Sequence, residues 1–410
     1  MTRVGDEPSS LMNPEMSVKR IFARPEPSTV RSSRGLIRGV RSIETSEQPA
    51  ESRTSKKKIA RDRMPAVYRA GLNDVRALWD NRQVTPDLQL TLDDVRAAAQ
   101  RLANRIYRTP VISSQPFDDA SGCRVFFKCE NLQIAGSFKI RGALNKLRSL
   151  TAAERGRGVI AYSSGNHAQG VALAAQMVGT SAIICMPTDA PALKVEATRG
   201  YGAEIVFYDP LKDDRAAVAR RLADETGRVL VPPYDDPAIM AGQGTAALEL
   251  FEEVPALDAL VTPVGGGGLM AGCSTVARSL SPQITIVGVE ADTANDTYLS
   301  LQKGERVTIP PPPTIADGIR PQSPGELTFP ILQQNLTGVA LVSDAEIVAA
   351  VRFLALRARI IVEPTGAVGA AAVLTGKLAV PRAARVGVVL SGGNVDPELL
   401  LQILAEPQRA

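Results

Sequence analysis

From Thr91 onward, apolar residues recur at two alternating periods. Val95, Ala98, Leu102 and Ile106 lie three to four positions apart, the repeat of one helix face. Thr91-Leu92-Asp93-Asp94 opens that segment with a capping hydroxyl and an acid three positions on, which predicts a helix from there through Tyr107. Short apolar runs and helical-period segments then take turns. The runs predict strands at 124–129, 159–163, 181–186, 203–207, 228–231, 258–264, 284–290 and 385–390. The segments between them predict helices at 138–149, 166–178, 191–199, 211–225, 236–254, 267–280, 344–359 and 366–375, and a last one from Pro397. Pro310 to Pro313 interrupt the rhythm, and Ser343-Asp344-Ala345-Glu346 restarts it with a second capping pattern. Alternating β and α units predict an α/β fold whose parallel-rich sheets are flanked by helices.

Residues 1–85 follow neither period. They are rich in Arg, Ser, Pro and Glu, and only about 66–80, around Trp79, could form a short helix. Residues 1–83 hold 17 basic and 10 acidic side chains, a balance of +7, whereas the remainder holds 30 and 33, a balance of −3. The segment reads as a disordered or weakly structured basic extension. Its ten acids argue against an organelle transit peptide. With the basic excess outside the body, the body lacks the footprint of a nucleic-acid binder. Four cysteines without a CxxC pair, and a single histidine, argue against a zinc site and fit small buried hydrophobes in a reducing compartment. No apolar run approaches the ~18 residues of a membrane helix, and no signal peptide opens the chain. The expectation is a soluble, cytoplasmic protein that handles a small molecule, with neither nucleic acid nor membrane as partner.

Four stretches carry candidate chemistry. Gly265-Gly266-Gly267-Gly268 follows an apolar strand and leads into a helix, so its N–H groups can converge on an anion at a positive helix end. A tight turn without a ligand is the plainer alternative. The run fits neither G-x-G-x-x-G nor the P-loop, which favours a small phosphate ester over a nucleotide. Lys139, in Gly136-Ser137-Phe138-Lys139-Ile140-Arg141-Gly142-Ala143, is either a solvated charge or a desolvated amine nucleophile. A phosphate cradle, an amine nucleophile and a parallel sheet together suit pyridoxal phosphate. Ser391-Gly392-Gly393-Asn394 ends a strand, where α/β folds place ligands, and its hydroxyl can meet a neutral pyridine nitrogen, a choice that favours elimination over transamination. A strand-end turn is again the alternative. Ser163-Ser164-Gly165-Asn166-His167 starts a helix whose unpaired N–H groups could hold a substrate carboxylate. His167, as a lone histidine, reads as structural before catalytic.

In order and spacing these motifs resemble the fold-type II pyridoxal phosphate enzymes, and among them the threonine/serine dehydratase (ammonia-lyase) and serine racemase branch. The similarity runs from about 88 to 405. The resemblance implies a two-domain, tryptophan synthase β-like architecture, with 86–157 plus 236–410 as the large cofactor-binding domain and 158–235 as the small one. It implies Lys139 as the Schiff-base lysine and the base that removes Cα–H, Phe138 packed on the cofactor ring, and Asn166 on its 3′-oxygen. Gly265, Gly266, Gly267 and Gly268 would hold the phosphate, and Ser391 would face the ring nitrogen. Ser163 and His167, with Ser164, Gly165 and Asn166, would form the substrate carboxylate site. Ser164 is similar to the serine that exchanges a proton opposite the lysine in racemising members. Glu290, Ala294 and Asp296 match a divalent-cation site for Mg²⁺ or Ca²⁺, although Ala291 replaces the proline usual after that Glu; a solvated acidic loop is the plainer reading. Thr314–Gly318 and Glu363–Ala367 also fit.

The expected activity is β-elimination from a β-hydroxy-α-amino acid, L-threonine first and L-serine second, giving 2-oxobutanoate or pyruvate and ammonia. Serine racemase with side dehydratase activity, and a dehydratase for 3-hydroxyaspartate or another 3-hydroxy amino acid, are the alternatives. The expected assembly is a homodimer or homotetramer.

Overall fold

The computed structural model describes residues 90–405. The expected extension at 1–85 and its helix near Trp79 lie outside the described residues. In chain order the elements are α1 (Leu92–Leu102), β1 (Val111–Ile112), α2 (Gln115–Ser121), β2 (Arg124–Cys129), α3 (Lys139–Ser149), α4 (Ala152–Arg157), β3 (Val159–Tyr162), α5 (Asn166–Val178), β4 (Ala182–Pro187), α6 (Ala192–Gly200), β5 (Glu204–Tyr208), α7 (Arg215–Thr226), β6 (Val229–Leu230), α8 (Pro237–Glu253), β7 (Ala259–Pro263), α9 (Gly268–Leu280), β8 (Thr285–Ala291), α10 (Asp296–Lys303), α11 (Thr328–Asn335), β9 (Gly338–Val342), α12 (Asp344–Phe353), α13 (Pro364–Leu374), β10 (Arg385–Leu390) and α14 (Pro397–Ala405).

The strands form two sheets, β1-β2-β10-β7-β8-β9 and β5-β4-β3-β6. Every pairing is parallel except β1 with β2. Helices cover both faces of the larger sheet, so its central strands are apolar throughout instead of alternating. All five residues of β7 are buried, and β10 is buried from Val386 to Leu390. One core packs α12 and α13 on one face of this sheet, and a second packs α8, α9 and α11 on the other. The smaller sheet is covered by α3 and α5 on one side and α7 on the other.

Most sequence-derived elements recur with ends shifted by a residue or two, and three differences have physical causes. The first helix stops at Leu102 instead of Tyr107, because Ala103 turns extended and Asn104 takes φ 58. The predicted helix 344–359 is α-helical only to Phe353, then widens into a π-turn that Arg359 ends at φ 62. The short elements α2, α4, α10, α11, β1 and β9 were not anticipated. Thr151 and Glu154 form a capping box on α4, a local signal that its six residues carry with little periodicity. Among the described residues the four cysteines are unpaired, three of them buried, and no helix is long and apolar enough to cross a membrane.

α3 is fixed by a buried ion cluster. Arg141 donates to Glu130, in the turn after β2, at 2.7 and 2.8 Å, to Glu249 of α8 at 2.7 and 2.8 Å, and to Thr245 at 3.0 Å. Lys128 of β2 also pairs with Glu249. Removing one member of such a cluster strands the others without water. Arg141→Met should therefore lower the unfolding free energy by about 3–5 kcal/mol. Urea unfolding followed by circular dichroism measures it, and a loss below about 1 kcal/mol would contradict this account.

Candidate active site

Four strands end at one cavity. β3 runs out into Ser163, β4 ends at Pro187, β7 leads to Gly265 and β10 to Ser391, all of them in the wall of a space of about 740 Å³. The carboxyl ends of parallel strands are where α/β folds collect ligands, because loops and helix N-termini meet there. Phe138, Lys139, Ser163 to His167, Gly265 to Gly268 and Ser391 all line it. Glu290, Ala294 and Asp296 are not part of that wall.

Lys139 is the first residue of α3. The chain before it is joined to the loop after β10. Phe138 N–H donates to Ser391 O at 3.1 Å, Gly393 N–H donates to Gly136 O at 2.9 Å, and Ser137 and Gly392 form an antiparallel bridge. The lysine Nζ donates to Pro233 O at 2.8 Å and lies 5.0 Å from the Phe138 ring centre. Burial pushes its pKa down to about 8; Glu363 pulls it up and Arg215 pushes it further down. An amine that gives up its proton near neutrality is a usable nucleophile.

The glycine run is shaped by close approach. Gly267 takes φ 94, and a Cβ there would stand 2.8 Å from Thr328 Oγ1. Gly266 O accepts from Gly325 N–H at 3.1 Å and Thr328 Oγ1 at 2.7 Å, and Gly267 O accepts from Ala271 N–H at 2.7 Å. These carbonyls are turned into the protein. The first N–H groups of α9 have no intrahelical acceptor and stand at the cavity, the arrangement that receives a phosphate. Ser391 Oγ is buried and has no partner among the described residues. An uncharged hydroxyl that lacks a partner, an anion cradle and a nucleophilic amine in one wall fit pyridoxal phosphate.

α5 starts at Asn166 behind Gly165, whose N–H donates to Ser163 Oγ at 3.2 Å. His167 Nε2 lies 3.0 Å from Val231 O, and Nδ1 is buried with no partner among the described residues. A carbonyl only accepts, so Nε2 carries the proton and Nδ1 is a bare acceptor. Burial, with the nearby Lys139 charge, pushes the imidazole pKa down to about 3. The ring is therefore neutral and offers a carboxylate no donor. What the turn does offer is main-chain N–H groups and the Ser163 and Ser164 hydroxyls.

Several cavity residues received no role from the sequence. Glu363 stands at the N-cap position of α13 without a side-chain capping bond and accepts from Asn166 Nδ2 at 2.7 Å; Asn394 Nδ2 donates to Asn166 Oδ1 at 2.8 Å. Both lie inside quoted motifs, but their meeting with Asn166 depends on the fold. Arg215, at the start of α7, has its guanidinium 5.9 Å from the Tyr162 ring centre and is exposed. Among the described residues no carboxylate pairs with it, and it shares the cavity wall with Tyr162, Tyr208 and Tyr234, whose hydroxyls form no hydrogen bond among those residues.

Away from the cavity, Glu290 accepts from the N–H groups of Thr297 and Tyr298 at 3.0 and 2.9 Å, while both Asp296 carboxylate oxygens are buried with no partner among the described residues. Burial raises the pKa of both carboxyls, Asp296 to about 7, and Asp296 adds to the rise at Glu290. Two adjacent buried acids suit a hard cation. Among the described residues no three acidic, histidine or cysteine side chains come together, so carbonyls such as that of Ala294 and water would complete the shell.

Residues 102–392 match the family model for pyridoxal-phosphate dependent enzymes, and the chain belongs to that family, with the fold-type II architecture. It is 50% identical over 311 residues to an L-threo-3-hydroxyaspartate ammonia-lyase of Pseudomonas sp, covering 76% of this chain and 97% of that one. It is 45% identical over 316 residues to a serine racemase of Schizosaccharomyces pombe, covering 77% and 98%. The solved structure of a T.th. threonine deaminase superposes with a TM-score of 0.71 at 44% identity, covering 75% of this chain and 99% of that one.

If Lys139 is the desolvated amine described, cofactor-free protein mixed with pyridoxal phosphate should develop its visible imine band at a rate that rises with pH to a midpoint at about 8. A midpoint near an ordinary lysine value, about 10.4, would remove Lys139 as the attachment point.

Proposed function

We propose that this enzyme eliminates water across Cα and Cβ of a β-hydroxy-α-amino acid, releasing a 2-oxo acid and ammonia, and that its preferred substrate bears a second carboxylate, as 3-hydroxyaspartate does. The reading rests on Arg215. It is a cavity-wall cation with no carboxylate partner among the described residues, set among three phenol hydroxyls that also lack partners there. A substrate ending in a methyl or a hydrogen would leave this group unused, whereas a β-carboxylate would meet a charge-assisted donor fork. Two relatives, at 50% and 48% identity, are L-threo-3-hydroxyaspartate ammonia-lyases. L-threonine and L-serine then stand as secondary substrates.

Pyridoxal phosphate, when bound, supplies an aldehyde that captures amines and a ring that accepts the electron pair left at Cα. The chain does the rest. The N–H groups from Gly265 to Gly268 would hold the phosphate, Phe138 would pack on the ring, and Asn166 would present an N–H to its 3′-oxygen. Ser391 would face the ring nitrogen with a neutral hydroxyl, which would leave that nitrogen uncharged and favour loss of a β-substituent. Ser163 and Gly165 donate their N–H groups to Cys185 O and Ser163 Oγ, so the main-chain N–H groups of Ser164, Asn166 and His167 would hold the α-carboxylate. Lys139 Nζ takes the proton from Cα. Ser164, which lines the same cavity, would exchange a proton with Cα as well, so racemisation of serine is the side activity this reading carries. Glu290, Asp296 and the Ala294 carbonyl would hold Mg²⁺ or Ca²⁺, which would neutralise the buried acid pair.

A panel of β-hydroxy amino acids read by 2-oxo acid release tests the substrate. Arg215→Met should lower kcat/KM for 3-hydroxyaspartate roughly tenfold to a hundredfold, the worth of a charged hydrogen bond, while serine changes little. Equal losses on both substrates would sink the assignment, and Lys139→Ala should abolish turnover of all of them. For the cation, protein stripped with a chelator should melt higher when Mg²⁺ or Ca²⁺ is returned, and Asp296→Asn should erase that gain. A gain that survives in the variant would place the cation elsewhere.

A further inference from the structure

Glu363 is the buried carboxyl of the cavity wall, and its surroundings are specific. Its N–H donates to Gly392 O at 3.1 Å, and its side chain lies so close to Gly392 that a Cβ there would stand 2.4 Å from Oε1. Its one side-chain partner among the described residues is Asn166, whose Nδ2 donates at 2.7 Å.

The direction of the Asn166 amide can be worked out from a main-chain group. Ala135 O can only accept, and Asn394 Nδ2 donates to it at 2.8 Å. That fixes which end of the Asn394 amide is nitrogen. Its second N–H goes to Asn166 Oδ1 at 2.8 Å. Asn166 therefore turns its oxygen to Asn394 and its nitrogen to Glu363. An amide nitrogen has two hydrogens. Glu363 takes one, and the other is left for the cavity that Asn166 lines.

We propose that Glu363 is a positioning residue that locks the Asn166 amide with its free N–H toward the bound cofactor, and that the ionisation of Glu363 sets how firmly that N–H is held. This rests on the reading of Asn166 as a cofactor contact. A carboxylate is the stronger acceptor, and a neutral carboxyl loosens the grip on Asn166. The change falls in a working range. Burial raises the Glu363 pKa to about 8, Asp317 pushes it the same way, and Asn166, Lys194 and Lys139 act against the rise. The charged groups facing it are thus Asp317 in the turn at 317–319, Lys194 on α6, which pairs with Asp317 at 2.6 Å, and Lys139 on α3. In the loaded enzyme Lys139 is tied up in the cofactor linkage, so its free ammonium no longer acts against the rise at Glu363.

The test is a pH titration of the visible absorbance of the loaded enzyme. In the wild type a spectral transition is expected at about pH 8. In Glu363→Gln it should vanish or move by about one unit or more. In an Asn166→Ala background, Glu363→Gln should have no further effect, since the contact through which it acts is gone. An unchanged midpoint in Glu363→Gln overturns the proposal, and so does an effect that persists undiminished without Asn166. If Glu363→Gln does not load cofactor, Glu363→Asp takes its place, because the shorter acid keeps its charge but loses its reach to Asn166, and the same two outcomes decide. If Asn166→Ala leaves the spectrum and the affinity for pyridoxal phosphate at wild-type values, Asn166 is not a cofactor contact, and the proposal falls together with that reading.

Discussion

The position of Lys139 depends on a guanidinium two residues further on. Arg141 has five N–H groups, and each finds an acceptor: two on Glu130, two on Glu249 and one on Thr245. Paired forks of this kind specify rotation as well as distance. They fix which face of α3 turns to the turn after β2 and to α8. At 3.6 residues per turn, two positions correspond to about 200°, so a side chain two residues before Arg141 emerges on nearly the opposite face. The buried cluster thereby aims Lys139 at the cavity. Replacing such a cluster with apolar residues can leave a protein as stable as before. Its worth here lies in the orientation it imposes.

Two further contacts remove the remaining freedom of that helix. α3 and α8 meet backbone to backbone, since a Cβ on Gly242 would stand 2.4 Å from Arg141 O. The antiparallel pairing of Ser137 with Gly392 then sets the lysine beside Ser391. Side-chain forks fix the azimuth, the glycine contact fixes the depth, and the main-chain pairing fixes the register. Lys139 Nζ is left to reach Pro233 O, where burial brings its pKa down to about 8.

Local signals made much of this legible. Short apolar runs placed the strands, and period-3.6 segments most of the longer helices, within a residue or two, and the four consecutive glycines between a strand and a helix pointed to a cradle by themselves. What stayed hidden was non-local. Nothing near Glu363 says that its carboxyl meets Asn166, because that contact needs β3, β10 and α13 to converge. The same holds for the Arg141 cluster, whose members come from a strand end and two helices. His167 shows the limit from the other side. The resemblance offers it a substrate role; a carbonyl at 3.0 Å from Nε2 leaves its other ring nitrogen without a proton, so such a role would fall to its main-chain N–H and not to the imidazole. Short elements such as α4 and β9 carry too few residues for a period to emerge, and tertiary packing decides them.

The charges of the cavity wall bear on how selective the proposed reaction can be. Lys194 is cancelled by Asp317, and Arg320 is committed to the Thr314 carbonyl. Lys139 is occupied by the chemistry. Beyond the phosphate cradle, two places remain for an anion: the start of α5 and Arg215. A substrate with one carboxylate fills the first and leaves Arg215 as it was. That costs little, because the guanidinium is exposed and keeps its water. A site rejects a substrate strongly only when binding strands a buried polar group. In the proposed reaction Arg215 would therefore add affinity for a second carboxylate without building in a penalty against serine or threonine. Preference by gain alone is graded, and it accommodates relatives of one fold that carry the names of hydroxyaspartate lyase, serine racemase and threonine deaminase.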